Sequence, residues 1–117
     1  MNFLFIIHDS PYGNERPYNG LRLAMSHLRE NTGVNIWIFL TGDAVVCASS
    51  NQSTPNGFYN IEQMLTFIMK KGGQVKTCGS CTEARGLSQA TLIDGIEKSN
   101  LKQLTEWSLE ADKIITF

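Results

Sequence analysis

The stretch Asn2-Phe3-Leu4-Phe5-Ile6-Ile7-His8 holds five apolar residues in succession and shows no polar alternation. A strand with one wet face alternates, so this run is expected to lie in a sheet covered on both sides, as a central parallel strand. Turn formers follow it from Asp9 to Asn14. Leu21, Ala24, Met25 and Leu28 then repeat at helical spacing until Thr32-Gly33 stops them.

The same order of strand, loop and helix returns downstream. Residues 34–40 read as a second strand, followed by Thr41-Gly42-Asp43 and a short apolar segment, residues 44–48, that Asp43 is expected to cap. Residues 49–57 are polar and rich in turn formers, which predicts the most mobile loop. Asn60 with Gln63 predicts a capped helix whose apolar face is Ile61, Met64, Leu65 and Ile68, ended by Gly72-Gly73. A strand over 74–78, a helix capped by Asn100 with Gln103 and carrying Leu101, Leu104 and Trp107, and a strand over 113–117 complete the chain. Alternating strands and helices predict a three-layer α/β domain with a mostly parallel sheet.

At 117 residues and 42% hydrophobic composition the chain fits a single domain with one core. Its 10 basic and 11 acidic residues give a net charge of -1 without a basic cluster, which argues against nucleic acid as a primary partner. No apolar run approaches the roughly 20 residues of a membrane span. The apolar start lacks the basic flank and cleavage site of a signal peptide, so a cytoplasmic location is expected. In that reducing compartment Cys47, Cys78 and Cys81 are expected to be free thiols.

Ligands of open α/β sheets bind beyond the carboxyl ends of the strands, which directs attention to residues 8–13, 41–43 and 78–86. No glycine-rich phosphate loop occurs there, so nucleotide and flavin cofactors are not expected. The third of these loops, with Cys78, Gly79, Ser80, Cys81, Arg85 and Gly86, is the densest in chemistry. Backbone amides at a helix start and the charge of Arg85 would favour thiolate over thiol, making Cys78 the candidate nucleophile. Cys47, on an apolar segment, reads as a small core residue. A zinc site would need ligands beyond the Cys-x-x-Cys pair, and the chain offers only Cys47, His8 and His27, so no metal is expected. A thioredoxin-like dithiol remains an alternative, although no Trp precedes the pair. His27 reads as a surface residue, Asp43 as a cap or a polar contact in the pocket, and Tyr12 and Trp107 as packing or interface residues.

The chain resembles the DsrE/DsrF-like sulfur-relay family, and within it the YchN type. The resemblance runs through Pro11-Tyr12-Gly13, Leu21-Arg22-Leu23-Ala24, Asp43-Ala44-Val45, Tyr59-Asn60-Ile61, Gln63-Met64-Leu65, Cys78-x-x-Cys81-Thr82-x-x-Arg85-Gly86, Leu92-Ile93-Asp94-Gly95 and Ala111-Asp112-Lys113. It implies one domain over residues 1–117, an α/β/α fold with five parallel strands in a flavodoxin-like topology, and assembly as a trimer or hexamer. It also implies a sulfurtransferase-like carrier that holds sulfane sulfur as a persulfide on Cys78, between donor and acceptor proteins. Cys78 is matched by its interval to Arg85-Gly86. Cys81 is shared only with the YchN type. Supporting roles are expected for Cys81, Arg85, Gly79, Ser80, Asp43 and Tyr12. Dithiol-disulfide exchange between Cys78 and Cys81, or a non-catalytic homo-oligomeric binding module, are the alternatives.

Overall fold

In the strand β1, Asn2–Ile7, the side chains of Phe3, Phe5 and Ile7 join one buried cluster while Leu4 joins another across the sheet. All four are buried, as the unalternating apolar run requires. The computed structural model describes residues 1–117. Along the chain come β1, α1 (Arg16–Arg29), β2 (Asn35–Leu40), a 3-10 segment (Gly42–Ala48), α2 (Ile61–Lys70), β3 (Gln74–Cys78), α3 (Gly79–Ala84), β4 (Glu97–Ser99), α4 (Leu101–Glu110) and β5 (Lys113–Thr116).

The strands form one sheet in the order β4-β3-β2-β1-β5, and every pairing is parallel. The flavodoxin-like expectation is thereby corrected. That topology has the order 2-1-3-4-5, whereas here β1 to β4 lie side by side in chain order and only β5 crosses back to the far edge of β1.

The two faces are unequal. On one, α1, α2 and the segment carrying Ile93 and Ile96 cover Phe3, Phe5, Ile7, Ile36, Ile38, Leu40 and Val75. On the other, a smaller cluster unites Leu4, Trp37, Phe39, Val45, Cys78 and Trp107. Trp107 is the only buried residue of α4 and stacks on Trp37 with ring centroids 5.2 Å apart.

Both expected asparagine caps form: Asn60 accepts from the Gln63 N–H at 3.0 Å and Asn100 from the Gln103 N–H at 2.9 Å. They fix where α2 and α4 begin. The loop over 49–57 is less free than its composition suggests. Gln52 donates to the carbonyls of Cys47 and Ser49, both at 2.9 Å, and its backbone N–H donates to Glu62 at 2.8 Å. A side-chain amide that replaces missing backbone partners ties a polar loop down. No helix is long and apolar enough to cross a membrane.

Candidate functional site

Leu40 and Thr77 pair across β2 and β3, so Thr41-Gly42 and Cys78 emerge side by side at the carboxyl edge of the sheet. Cys78 ends β3 and stands at the N-cap of α3, where its sulfur accepts the Cys81 N–H at 3.3 Å. The Ser80 hydroxyl lies 3.3 Å from the same sulfur. Only 9% of Cys78 is exposed, because its side chain belongs to the smaller buried cluster with Val45, Trp37 and Trp107. Its carbonyl accepts from the buried Thr82 hydroxyl at 2.8 Å, which locks the turn into α3. At Gly79 a Cβ would stand 3.2 Å from the Ser99 carbonyl, so the glycine lets the end of β4 close against this turn.

Cys81 lies one helical turn on and is half-buried. Its sulfur accepts the Gly42 N–H at 3.3 Å and lies 3.7 Å from the Thr41 hydroxyl. Gly42 adopts φ +57°, a left-handed conformation that glycine takes without strain, and this conformation sets the amide against the sulfur. Burial raises the Cys81 thiol. Hydrogen bonds from the Cys78 thiol, the Gly42 amide and Thr41, together with the Arg85 charge, outweigh it and hold the group below the ordinary thiol range. The Arg85 charge that sequence reasoning aimed at Cys78 thus acts on Cys81, while a backbone amide of the helix start bonds to Cys78 as expected.

Arg85 is fixed rather than free. Its Nε and Nη2 donate to Asp43 Oδ1 at 2.9 and 2.8 Å, and its Nη1 donates to the Cys81 carbonyl at 3.0 Å. Asp43 is therefore not the cap of its segment. Thr41 occupies the cap position, without a side-chain bond, and the Asp43 carboxylate is turned to a residue 42 positions away. Arg85→Gln is expected to move the midpoint of Cys81 alkylation to higher pH and to slow the reaction at neutral pH, since a charge favouring thiolate is lost while Asp43 stays. Rates of iodoacetamide labelling against pH, resolved by peptide mass, measure this; an unmoved midpoint would show that the charge does not act on Cys81.

Tyr12 is not gathered into this cluster. Its hydroxyl donates to Gln52 Oε1 at 2.7 Å and accepts the Ile61 N–H at 3.1 Å, and its ring stacks on Tyr59. It secures the start of α2. His8 is exposed at the end of β1, and His27 is half-buried on α1 with its ring edge-on to Phe3 at 5.0 Å. Cys47 is fully buried, and burial pushes its thiol up to about 12. No group of three or more His, Cys, Asp and Glu side chains is arranged to hold a metal ion. The broadest surface groove runs along α2 between Asn51 and Lys70 and does not include the cysteines.

Sequence reasoning missed Thr41 and Gly42 as partners of Cys81. The available signal was the Thr41-Gly42 pair just after β2, the strand that neighbours the one ending in Cys78.

The DsrE/DsrF-like family model matches residues 1–117. The chain is 39% identical to Protein YchN of Escherichia coli strain K12 over 97% of each chain. It is also 38% identical to an uncharacterized protein of Methanopyrus kandleri, over 96% of this chain and 90% of that one. The crystal structure of the Escherichia coli YchN protein superposes with a TM-score of 0.88 at 38% identity, covering all of both chains.

Proposed function

Because the chain belongs to the DsrE/DsrF-like family, we propose that it is a sulfur-relay protein whose Cys78 holds sulfane sulfur as a persulfide and yields it to an acceptor thiol. The observation that carries this reading is the position of Cys78. It closes an inner strand at the carboxyl edge of the sheet, where its sulfur accepts a backbone N–H and faces a hydroxyl. These contacts hold Cys78 Sγ in a fixed place at the strand end, from which the terminal sulfur of a persulfide extends by one bond.

Loading breaks the S–S bond of a donor R–S–SH and forms one at Cys78, giving R–S⁻ and Cys78–S–SH. Unloading reverses the roles: an acceptor thiolate takes the terminal sulfur and Cys78 leaves as thiolate. Each exchange conserves electrons, so no redox cofactor is required. The surrounding cluster of Trp37, Val45 and Trp107 limits access of water and small thiols to the stored sulfur. The reading includes donor and acceptor proteins, a homo-oligomer of three or six chains, and a cytoplasmic setting.

A second reading, dithiol-disulfide exchange, is favoured by one observation: Cys81 stands one helical turn from Cys78 and donates its backbone N–H to the Cys78 sulfur at 3.3 Å. Incubation with cysteine persulfide, followed by alkylation and mass spectrometry, separates the two. The carrier is expected to gain one sulfur, assigned to Cys78 by fragmenting the peptide between Cys78 and Cys81. Loss of two hydrogens with no retained sulfur overturns the carrier in favour of the disulfide. No change of mass overturns both.

A further inference from the structure

The two thiols differ in access in a sense opposite to their expected roles. Cys78, the storage cysteine of the proposed carrier, is 9% exposed and belongs to the buried cluster of Val45 and Trp107, whereas Cys81 is half-buried at the edge of that cluster and more open to solvent. A donor's terminal sulfur must approach the attacking thiolate along the S–S axis, which a buried side chain cannot offer to a protein-borne persulfide. We propose that Cys81 is the entry nucleophile, taking sulfur from the donor first and handing it inward to Cys78, so that the site is a two-step internal relay. The inference rests on the carrier reading of Cys78.

The surroundings of Cys81 suit both halves of this task. Its sulfur accepts the Gly42 N–H at 3.3 Å, stands 3.7 Å from the Thr41 hydroxyl and has the Arg85 guanidinium nearby, anchored to its own carbonyl at 3.0 Å. None of these donors belongs to α3 except Arg85, which caps its end. They lower the energy of thiolate, so Cys81 is ionised in larger proportion than an ordinary thiol when the donor arrives. They also make it a good leaving group, since a thiol of lower pKa departs faster in sulfur exchange.

The steps balance. The Cys81 thiolate attacks the terminal sulfur of R–S–SH, the donor S–S bond breaks, and R–S⁻ leaves, taking the proton of the transferred sulfur as R–SH and giving an anionic persulfide, Cys81–S–S⁻. The Cys78 thiol, whose sulfur already accepts the Cys81 N–H at 3.3 Å, gives its proton to that persulfide. The resulting Cys78 thiolate attacks the terminal sulfur, the Cys81 S–S bond breaks, and Cys81 returns as the thiolate held by Gly42 and Thr41. The proton stays with the transferred sulfur, now on Cys78. No electrons are gained or lost.

The test is a quenched time course with cysteine persulfide on the native chain, Cys78→Ser and Cys81→Ser, with label located by fragmentation. The native chain is expected to show sulfur first on Cys81 and later on Cys78. Cys78→Ser is expected to trap it on Cys81, and Cys81→Ser to load Cys78 at least about tenfold more slowly. Loading of Cys81→Ser at the native rate overturns the relay while leaving Cys78 as a carrier. So does label that appears on Cys78 with no earlier population on Cys81. A native chain that retains no sulfur at any time overturns the relay and the carrier together. The native time course does not depend on either variant folding.

Discussion

Trp107→Ala is expected to lose about 3–5 kcal/mol of folding stability, the range for deleting a buried aromatic side chain. Trp107 is 4% exposed, lies in near-parallel contact with Trp37, meets Phe39 edge-on at 6.3 Å, and carries the Lys76 ammonium over its ring at 5.1 Å. It is also the one fully buried side chain of α4, with only the partly buried Leu104 and a Lys76–Gln103 hydrogen bond at 2.9 Å beside it to hold the helix on the sheet. The same truncation is expected to expose Cys78, which belongs to that cluster, and to speed its alkylation. Urea midpoints and labelling rates measure the two effects on one sample. Leu109→Ala, on the exposed side of α4, serves as the control and should change neither. A Trp107→Ala protein with native stability would show that α4 is held by something other than this ring.

The second large effect concerns Cys47. Its folded thiol is raised from an ordinary 9.0 to about 12 by burial, offset only in part by its own backbone N–H, and the protonated thiol donates to the Asp9 carbonyl at 3.8 Å. An acid whose folded pKa lies above its unfolded one favours the folded state while protonated. Its contribution is complete below pH 9 and is lost as pH rises toward 12, because the unfolded chain then releases a proton that the folded chain keeps. The full loss amounts to about 4 kcal/mol, at about 1.4 kcal/mol per pH unit of separation. Cys47→Ala leaves a small cavity and is expected to be less stable at neutral pH. It should also lose less stability than the native chain between pH 9 and 12. Parallel alkaline slopes for the two proteins would mean that Cys47 ionises without unfolding the core.

What was legible in the residues was what burial dictates locally. Strands β1 and β2 announced themselves by apolar runs, β3 and β5 followed from the alternation of strands with helices, and the limits of β3 agree at both ends with the expected residues 74–78. The fifth, β4, is three residues long and polar, Glu97-Lys98-Ser99. An edge strand with exposed side chains carries no hydrophobic signal, and it is held through backbone pairing with Lys76, Thr77 and Cys78. Only the family resemblance supplied the count of five. The strand order was likewise invisible, since periodicity speaks of faces and not of neighbours.

At the site, Cys78, Cys81 and Arg85 could be singled out because they crowd one strand end. The partition of roles between them could not be read, because it is set by groups on another loop. Thr41 and Gly42 reach Cys81 across about forty positions, and Asp43 reaches Arg85 across 42. A short-range cap rule gave Asp43 a local task, while the fold offered its carboxylate a guanidinium instead. Tyr12 shows the reverse case, a residue grouped with the site by resemblance whose hydroxyl serves the start of α2.

The sheet order also has a consequence for how the chain is made. Each of β2, β3 and β4 lies beside the strand synthesised just before it, so the first four strands can assemble as they emerge. Strand β5 is the exception, because it completes the outer edge of β1, and Asn2 meets Asp112 through two backbone-directed bonds of 2.7 and 2.8 Å. Until residues 113–116 leave the ribosome, β1 presents a bare hydrogen-bonding edge flanked by Leu4 and Phe5. During that interval a nascent chain is open to pairing with the same edge of its neighbour on a polysome.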